Sequence, residues 1–236
     1  QAYGKTTDLT AMGGAQYVHT FDKCFFMPSD LTAGLEYNRD RLKDNMWGYN
    51  RHTDQTVNIY SAFLQNEWKN DRWGILIGGR LDKHNMVDNV IFSPRANLRF
   101  NPTQNINLRL SYSSGFRAPQ AFDEDMHIEN VGGTVAMIER AKDLKEEKSQ
   151  SFSVSADMYH RFGAFQTNLL IEGFYTRLTD VFVLGKPYDR GNGILVKTRS
   201  NGPGAKVMGL TLEGKVAYLS ILQIQAGLTL QRSRYD

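Results

Sequence analysis

Leu222-Gln223-Ile224-Gln225-Ala226-Gly227-Leu228-Thr229-Leu230-Gln231 is the stretch that decides the fold class. Every even position in it is apolar, and every odd position is polar or glycine. Successive side chains of a β-strand point to opposite faces, so this period of two predicts a strand with one apolar and one polar face.

The same alternation recurs along the 236 residues of the chain. It is clear at 31–38, 92–100, 106–113, 152–158 and 208–216, and weaker at 8–20, 57–68, 73–82 and 166–184. The total is ten predicted strands. The high aromatic content, with 21 glycines and only 6 prolines, also suits an all-β chain.

The predicted connections alternate in length. Those near 21–30, 69–72, 101–105, 161–165 and 218–221 are short, whereas those near 40–56, 83–89, 114–149 and 185–193 are long. Short turns at one end and long loops at the other are typical of an antiparallel, up-and-down transmembrane β-barrel. The mean hydropathy of −0.46 is compatible with this fold, because only every second side chain of a barrel strand faces lipid.

Aromatic residues cluster beside the short turns, as rings do at a membrane–water interface. They are Phe21, Trp68, Trp73, Phe100, Phe162, Phe165 and Tyr218. Aromatic residues also flank strands in soluble β proteins, so this cluster alone does not decide between the two environments. If the chain is a barrel, the even positions of 222–230 should face lipid and the odd positions the lumen.

The polar faces of the predicted strands carry opposite charges on neighbouring strands. We expect Arg80, Asp82, Arg95 and Arg109 to share a lumen-facing wall, with Asp82 near a basic side chain of an adjacent strand. A β-sandwich also has one apolar and one polar face, so a soluble sheet remains an alternative at this point.

Several functional classes have no support in the sequence. The net charge of +3 is small and its basic residues are scattered, so no nucleic-acid partner is expected. The five histidines lack the spacing of a zinc site, and no nucleophile-elbow or phosphate-loop motif occurs. We therefore predict a protein that is not an enzyme, with no cofactor and no metal. The single cysteine, Cys24, excludes an intrachain disulfide.

Residues 111–119, Ser-Tyr-Ser-Ser-Gly-Phe-Arg-Ala-Pro, followed by the acidic residues 123–125, resemble the signature of TonB-dependent outer-membrane receptors. The form Phe-Arg-Ala-Pro-Gln-Ala-Phe-Asp-Glu-Asp at 116–125 is similar to receptors of Bacteroidetes-type bacteria. Five further segments resemble motifs of this family, in the family's order. They are 63–68 (with Asn66 in place of the usual Asp), 78–82, 93–95, 144–149 and 201–213.

The resemblance implies a 22-stranded barrel with a separate plug domain, in the outer membrane of a Gram-negative bacterium. It also implies uptake of a large, scarce nutrient such as an iron–siderophore, haem or cobalamin, with a TonB-type energy-coupling protein as partner. We expect residues 1–236 to be a partial barrel of about ten strands, without the plug and the last strands. Its partners would be outer-membrane lipid and a small to medium nutrient ligand.

One other function stays open at this stage, a soluble β-sandwich or partial-barrel surface module that binds glycan. An outer-membrane enzyme is disfavoured, because no Ser/His/acid or HExxH pattern occurs. Partitioning would separate the glycan-binding module from a receptor, since a lipid-facing band should hold the chain in detergent.

The long loop after the sixth predicted strand carries the candidate ligand-binding or loop-gating residues. They are Arg117, Asp123, Glu124, Asp125 and His127. We expect Arg117 to pair with Asp123, Glu124 or Asp125 and to anchor the base of the loop. A solvated, charge-balanced surface loop is the plainer interpretation, and no metal site is expected there. Residues 130–143 should be mobile, and the composition of 134–147 suits a short helix.

Overall fold

The computed structural model describes residues 4–49, 51–120, 129–131, 134–189, 191, 194–219 and 221–236. At 49, 129–131, 134–136 and 194 the description covers the backbone only. Within these ranges, no helix has the length and apolar character needed to cross a membrane.

A single antiparallel sheet of ten strands dominates the molecule. Each strand in it pairs with the next one along the chain, and β1 and β15 form its two edges. The fold class and the ten predicted strands are thus confirmed. The strands are β1 Gly4–Cys24, β2 Met27–Met46, β3 Arg51–Lys69, β4 Trp73–His84, β5 Ile91–Thr103, β6 Ile106–Arg117, β9 Glu147–Phe162, β10 Phe165–Thr179, β14 Ala205–Tyr218 and β15 Leu222–Tyr235.

A second, smaller sheet, which we call the loop sheet, is built from the two longest connections. It contains β7 Glu129–Val131 and β8 Thr134–Arg140 from the β6–β9 connection. The β10–β14 connection contributes β11 Phe182–Leu184, β12 Tyr188–Asp189 and β13 Ile194–Asn201. Because β8 pairs in parallel with β13, the loop sheet joins the two connections to each other.

One face of the ten-stranded sheet is apolar across its width. Residues that pair between antiparallel strands lie on the same face. Following the pairs from Leu230 leads through an apolar row, namely Leu210, Gly173, Val154, Leu110, Leu98, Ile75 and Trp68. Leu230 is 61% exposed, and its partner Leu210 is also exposed. Such a wide exposed apolar surface marks contact with a membrane or a partner.

The opposite face is polar. From Thr229 the pairs lead through Thr211, Glu172, Ser155, Arg109 and Arg99. The hydroxyl oxygens of Thr211 and Thr229 lie 3.1 Å apart, and Gln225 donates a hydrogen bond to Glu213. The predicted alternation of 222–230 is therefore confirmed, with the even positions on the apolar face and the odd positions on the polar face.

The aromatic residues beside the short turns form ring contacts on the apolar face. The ring centres are 4.2 Å apart for Trp73 and Phe100, and 5.7 Å apart for Phe26 and Trp68. Phe165 lies between Phe162 and Tyr218, with centre distances of 5.4 Å and 4.9 Å. The predicted aromatic band at the short-turn end is present.

Two predicted elements differ from the structure. Residues 40–56 are not a long loop, because β2 and β3 stay paired as far as Met46 and Arg51. Apart from Leu42 and Met46, the side chains of the paired residues 40–46 and 51–56 are polar on both faces, so the alternation disappears while the backbone hydrogen bonds continue. The predicted strand 166–184 ends at Thr179, and a turn at Asp180 (φ 55°) leads into β11 of the loop sheet.

The predicted helix within 134–147 is wrong. Thr134–Arg140 is strand β8, which pairs from Val135 to Arg140 with residues 194–199. The composition favours a helix locally, but pairing with a segment about 60 residues away decides the structure.

Candidate functional site

Buried polar side chains gather on the polar face of β2–β4, towards the long loops. Asp44, Gln55, Ser61, Asp82 and His84 are buried there. The register places them on the polar face. Ser61 pairs with Asp82 and with Glu36, and Gln55, His84 and Asp44 each lie an even number of residues from one of these on the same strand. Burial on the face opposite the apolar one means that something other than lipid covers it.

Parts of the β6–β9 connection provide this cover. The guanidinium of Arg140 in β8 donates to the side-chain oxygen of Gln55 (3.0 Å) and to the carbonyl of Pro119 (2.9 Å). Gln120 of the same connection has its Oε1 3.4 Å from Nε2 of His84, whose Nδ1 accepts a hydrogen bond from the amide of Met86 in the β4–β5 connection (3.0 Å). The loop therefore folds inward over the sheet instead of standing away from it.

A small apolar core supports this inward fold. It consists of Val87, Ile91 and Ala118, all buried, with Phe116 packed against them. Ala118 follows β6 directly, so the first residues of the loop are fixed by packing on the β4–β5 connection.

A charge network lies on the polar face just below the cover. Arg80 contacts Glu36 on β2 (2.6 Å) and Asp82 on its own strand (2.8 Å). Asp82 is only 3% exposed and also accepts a hydrogen bond from the hydroxyl of Ser61 (2.6 Å). The predicted basic neighbour of Asp82 is thus Arg80 of the same strand, not a residue of an adjacent strand. Residues i and i+2 of a strand share a face, which explains the contact.

Arg95 and Arg109 lie on the same face as Arg80 and Asp82, as predicted. Arg99 pairs in register with Arg109, and Nε of Arg109 donates to Asn107 (2.7 Å). Within the described ranges, neither Arg95 nor Arg109 takes part in an ion pair. Like charges opposite one another destabilise a sheet, and Arg99 is held by donating to the carbonyl of Asn70 (3.1 Å).

Asn201 joins the two long connections. Its Nδ2 donates to the carbonyls of Lys145 (3.0 Å) and Asp180 (2.7 Å), and its Oδ1 accepts from the amide of Lys145 (2.8 Å). Above it, Val196 and Met137 form the buried centre of the loop sheet. The sequence placed Asn201 in a motif without assigning it a role, because its partners are 21 and 56 residues away.

Arg117 lies at the base of the same connections. Its guanidinium carbon is 5.7 Å from the centre of the Phe182 ring. Arg117 pairs in register with Glu147, whose carboxylate accepts a hydrogen bond from the amide of Phe182 (2.9 Å). Asp123, Glu124, Asp125 and His127 lie outside the described residues, so their contact with Arg117 stays a prediction.

Glu146 holds the end of the β6–β9 connection. Burial raises the pKa of its carboxyl, but its backbone hydrogen bond and the Lys148 ammonium, 3.0 Å away, bring that pKa below its usual value. Glu146 is therefore ionised at neutral pH, and the ion pair with Lys148 stabilises the start of β9.

The whole chain, residues 1–236, matches the family model described as TonB dependent receptor-like, beta-barrel. The chain therefore belongs to the β-barrel family of TonB-dependent receptors.

Solved structures of a siderophore receptor and an iron transporter share the fold. The chain resembles the siderophore receptor PirA from Pseudomonas aeruginosa, with a TM-score of 0.79 and 17% identity over 99% of this chain and 44% of PirA. It also resembles the FrpB iron transporter from Neisseria meningitidis, with a TM-score of 0.69 and 16% identity over 98% of this chain and 37% of FrpB.

A curated relative gives a similar result. The probable hemoglobin and hemoglobin-haptoglobin-binding protein 3 of Haemophilus influenzae is 23% identical over 206 residues. That match covers 85% of this chain and 18% of the relative. The chain thus spans less than half the length of each of these proteins.

Proposed function

We propose that this chain forms part of the barrel wall of an outer-membrane receptor that imports a large, scarce nutrient. The observation that carries the proposal is the sheet itself: one face is apolar, and the β6–β9 connection, joined to the β10–β14 connection through the loop sheet, folds over the other. Energy would come from a TonB-type coupling protein of the inner membrane. Relatives named for siderophores, haemoglobin and iron favour an iron-containing nutrient over cobalamin.

In this proposal the ten strands belong to a larger barrel of about 22 strands. The edges β1 and β15 are unpaired within the described sheet, and lipid does not tolerate open sheet edges. Further strands would complete the wall, and a plug domain would close the lumen.

The polar face would line that lumen, with Arg80, Asp82, Arg95 and Arg109 on its wall. An arginine on the lipid face near the bilayer midplane costs roughly 2–4 kcal/mol, whereas a wet lumen accepts it. The basic surface around Arg109 would contact an anionic part of the ligand or of the plug.

The soluble glycan-binding alternative is less well supported. A β-sandwich buries its apolar face against a second sheet. Here Leu228 and Leu230 are exposed, as are Leu110 and Val154 in the middle of the sheet. In the part of the chain that the structure describes, the only other sheet is the loop sheet, which contacts the polar face through Arg140.

Growth on defined nutrients tests the proposed function. The gene for the full-length receptor is deleted in its host, and growth is measured with a ferric siderophore, haem, haemoglobin or cobalamin as the limiting supply. We expect the deletion strain not to grow on one of the iron sources. The intact gene should restore growth on that source only when TonB-type energy coupling is present. Equal growth of both strains on all four supplies would overturn the proposal.

Replacing Arg117 by alanine tests the proposed loop anchor. Loss of the guanidinium beside Phe182 should loosen the base of both connections, so uptake by the full-length receptor should fall several-fold. Arg117→Lys, which keeps the charge but not the flat guanidinium, should recover only part of the loss. The strands should stay assembled, because their pairing does not involve this side chain. Normal binding and import by Arg117→Ala would show that Arg117 is not an anchor.

A further inference from the structure

A furrow crosses the apolar face of β1–β5, the face opposite the charge network, and reaches the β4–β5 connection at Val90. Small residues form its floor, notably Gly13, Ala15 and Ala62. Its space divides into volumes of about 540 Å³ and 800 Å³, and Ala15, Leu35, Ala62 and Leu81 line both of them. Both volumes are in the range of about 300–1,000 Å³ that small-molecule sites occupy.

The walls of the furrow are almost entirely apolar. Larger side chains stand on both sides of the floor, and they are Tyr17, Leu35, Leu64, Ile77, Leu81 and Phe92. An open apolar furrow of this kind offers contact to a hydrocarbon chain, whereas a polar group placed on it would lose hydrogen bonds to water.

The end of the furrow towards the long loops is basic. Lys83 lines it, and Arg39 lies one row further out on the same face, since Tyr37 pairs with Tyr60 and Tyr60 with Lys83. Both cations are exposed. The Lys83 ammonium donates to the backbone carbonyls of Val87 (3.1 Å) and Asp88 (2.6 Å). Among the described residues, no carboxylate forms an ion pair with either cation.

The position of these cations matches a membrane surface. Arg39 pairs with Asn58, which is ten positions before Trp68 of the aromatic band on β3. A tilted transmembrane strand needs about 9–11 residues to cross the hydrocarbon core. The stacked rings of Tyr37 and Tyr60, 4.9 Å apart, lie just inside this level, where amphipathic aromatic residues collect.

We infer that the furrow binds a membrane lipid with an anionic, phosphate-bearing headgroup. Its acyl chain lies along Gly13, Ala15 and Ala62, and its phosphate contacts Arg39 and Lys83. The inference rests on the proposed membrane location of the sheet, but not on the identity of the imported nutrient. The cations select the charge of the lipid, and the furrow requires that the ligand carry an acyl chain.

Native mass spectrometry of the full-length receptor in non-ionic detergent tests this inference. The receptor is titrated with phosphatidylglycerol, with phosphatidylcholine of the same acyl chains, and with glycerol phosphate as the headgroup without chains. We expect phosphatidylglycerol to bind best. Arg39→Gln and Lys83→Gln should each weaken it roughly fivefold, the contribution of one basic residue at an anionic membrane surface. Phosphatidylcholine binding should not change in these variants.

A second variant tests the furrow itself. A Cβ at Gly13 would have no atom within 4 Å, so the backbone accepts a side chain there, and Gly13→Leu places apolar bulk in the furrow. It should reduce the binding of both lipids. Gly214→Leu and Arg232→Gln are matched controls on the same face of β14 and β15, and both should bind phosphatidylglycerol as the unmodified receptor does.

Two results would overturn the inference. The first is unchanged phosphatidylglycerol binding in the Arg39→Gln, Lys83→Gln double variant, and the second is competition by glycerol phosphate as strong as that by the lipid. Growth on the limiting nutrient, measured in the same variants, separates this question from the proposed function. A variant that grows normally but has lost its preference for phosphatidylglycerol supports the lipid site and leaves the proposed receptor function untouched. Growth of the gene-deletion strain, in contrast, tests only the proposed receptor function.

Discussion

Asn201 shows at the residue scale how one side chain can join loops that are distant in sequence. It uses both amide hydrogens and its oxygen, and all three partners belong to the backbone. Backbone groups in irregular segments need such partners when strand pairing ends. The family motif that begins at Asn201 therefore has a local physical role, which is to fix where the two connections leave the sheet.

Replacing Asn201 by alanine should release the two connections from each other. Each lost hydrogen bond contributes about 0.5–1.5 kcal/mol, so amide exchange in residues 141–146 of the full-length receptor should accelerate about tenfold or more. Hydrogen–deuterium exchange measured by mass spectrometry checks this. Asn97→Ala is the control, because the Asn97 side chain is exposed and makes no hydrogen bond among the described residues. Equal exchange in both variants would rule out the role of Asn201.

Glycines let neighbouring strands of the sheet approach closely. The ring of Phe92 lies where a Cβ on Gly79 would be, 2.5 Å from that position, and the ring of Phe63 covers Gly34 in the same way. At Gly78, a Cβ would come within 2.6 Å of the Cβ of Gln65. These contacts explain at the scale of the element why the motif at 78–82 starts with two glycines.

Gly78→Ala should destabilise the barrel. The added methyl meets Cβ of Gln65 and, at 3.0 Å, the carbonyl of Leu64, so β3 and β4 must move apart. Forcing an extra methyl into such a site costs about 1–3 kcal/mol. We expect the full-length Gly78→Ala receptor to unfold at a lower temperature than the unmodified receptor, measured as the temperature at which its band shifts from the folded to the unfolded mobility in gel electrophoresis.

Gly214→Ala is the matched control for this change. A Cβ at Gly214 would have no atom within 4 Å, and alanine restricts the unfolded chain more than glycine does. This variant should unfold at the same temperature as the unmodified receptor or slightly above it. If Gly78→Ala unfolds at that temperature too, close packing does not explain the glycine.

At the scale of the whole molecule, the sheet places the aromatic band and the cations Arg39 and Lys83 about one bilayer core apart. Between them lies an apolar surface that no described segment covers. Such a surface in water would drive aggregation, whereas in lipid it stabilises the wall.

We predict that the full-length receptor behaves as an integral membrane protein. It should remain with the outer-membrane fraction through washes with concentrated salt and alkaline carbonate, because neither removes the apolar face from lipid. Detergent should release it. Fractionation followed by immunoblotting checks this, with a peripheral protein held by charge as the control. Release by salt or carbonate alone would favour the soluble surface module.

The sequence by itself determined the local features of this protein. Alternation with a period of two is a property of neighbouring residues, so it predicted the ten strands, their two faces and the common face of Arg80, Asp82, Arg95 and Arg109. Short turns and the adjacent aromatic residues were also readable, because each is a signal within a few residues.

Only the tertiary structure decided how β2 and β3 continue towards the long loops and what covers the polar face. There β2 and β3 are polar on both faces apart from Leu42 and Met46, so no alternation remains to show that they continue to Met46 and Arg51. The cover of the polar face depends on Arg140 reaching Gln55, 85 residues away, and β8 is held as a strand by pairing with β7 on one side and with the distant β13 on the other. Such contacts join segments that carry no common local pattern, and they form only when the completed sheet brings those segments together.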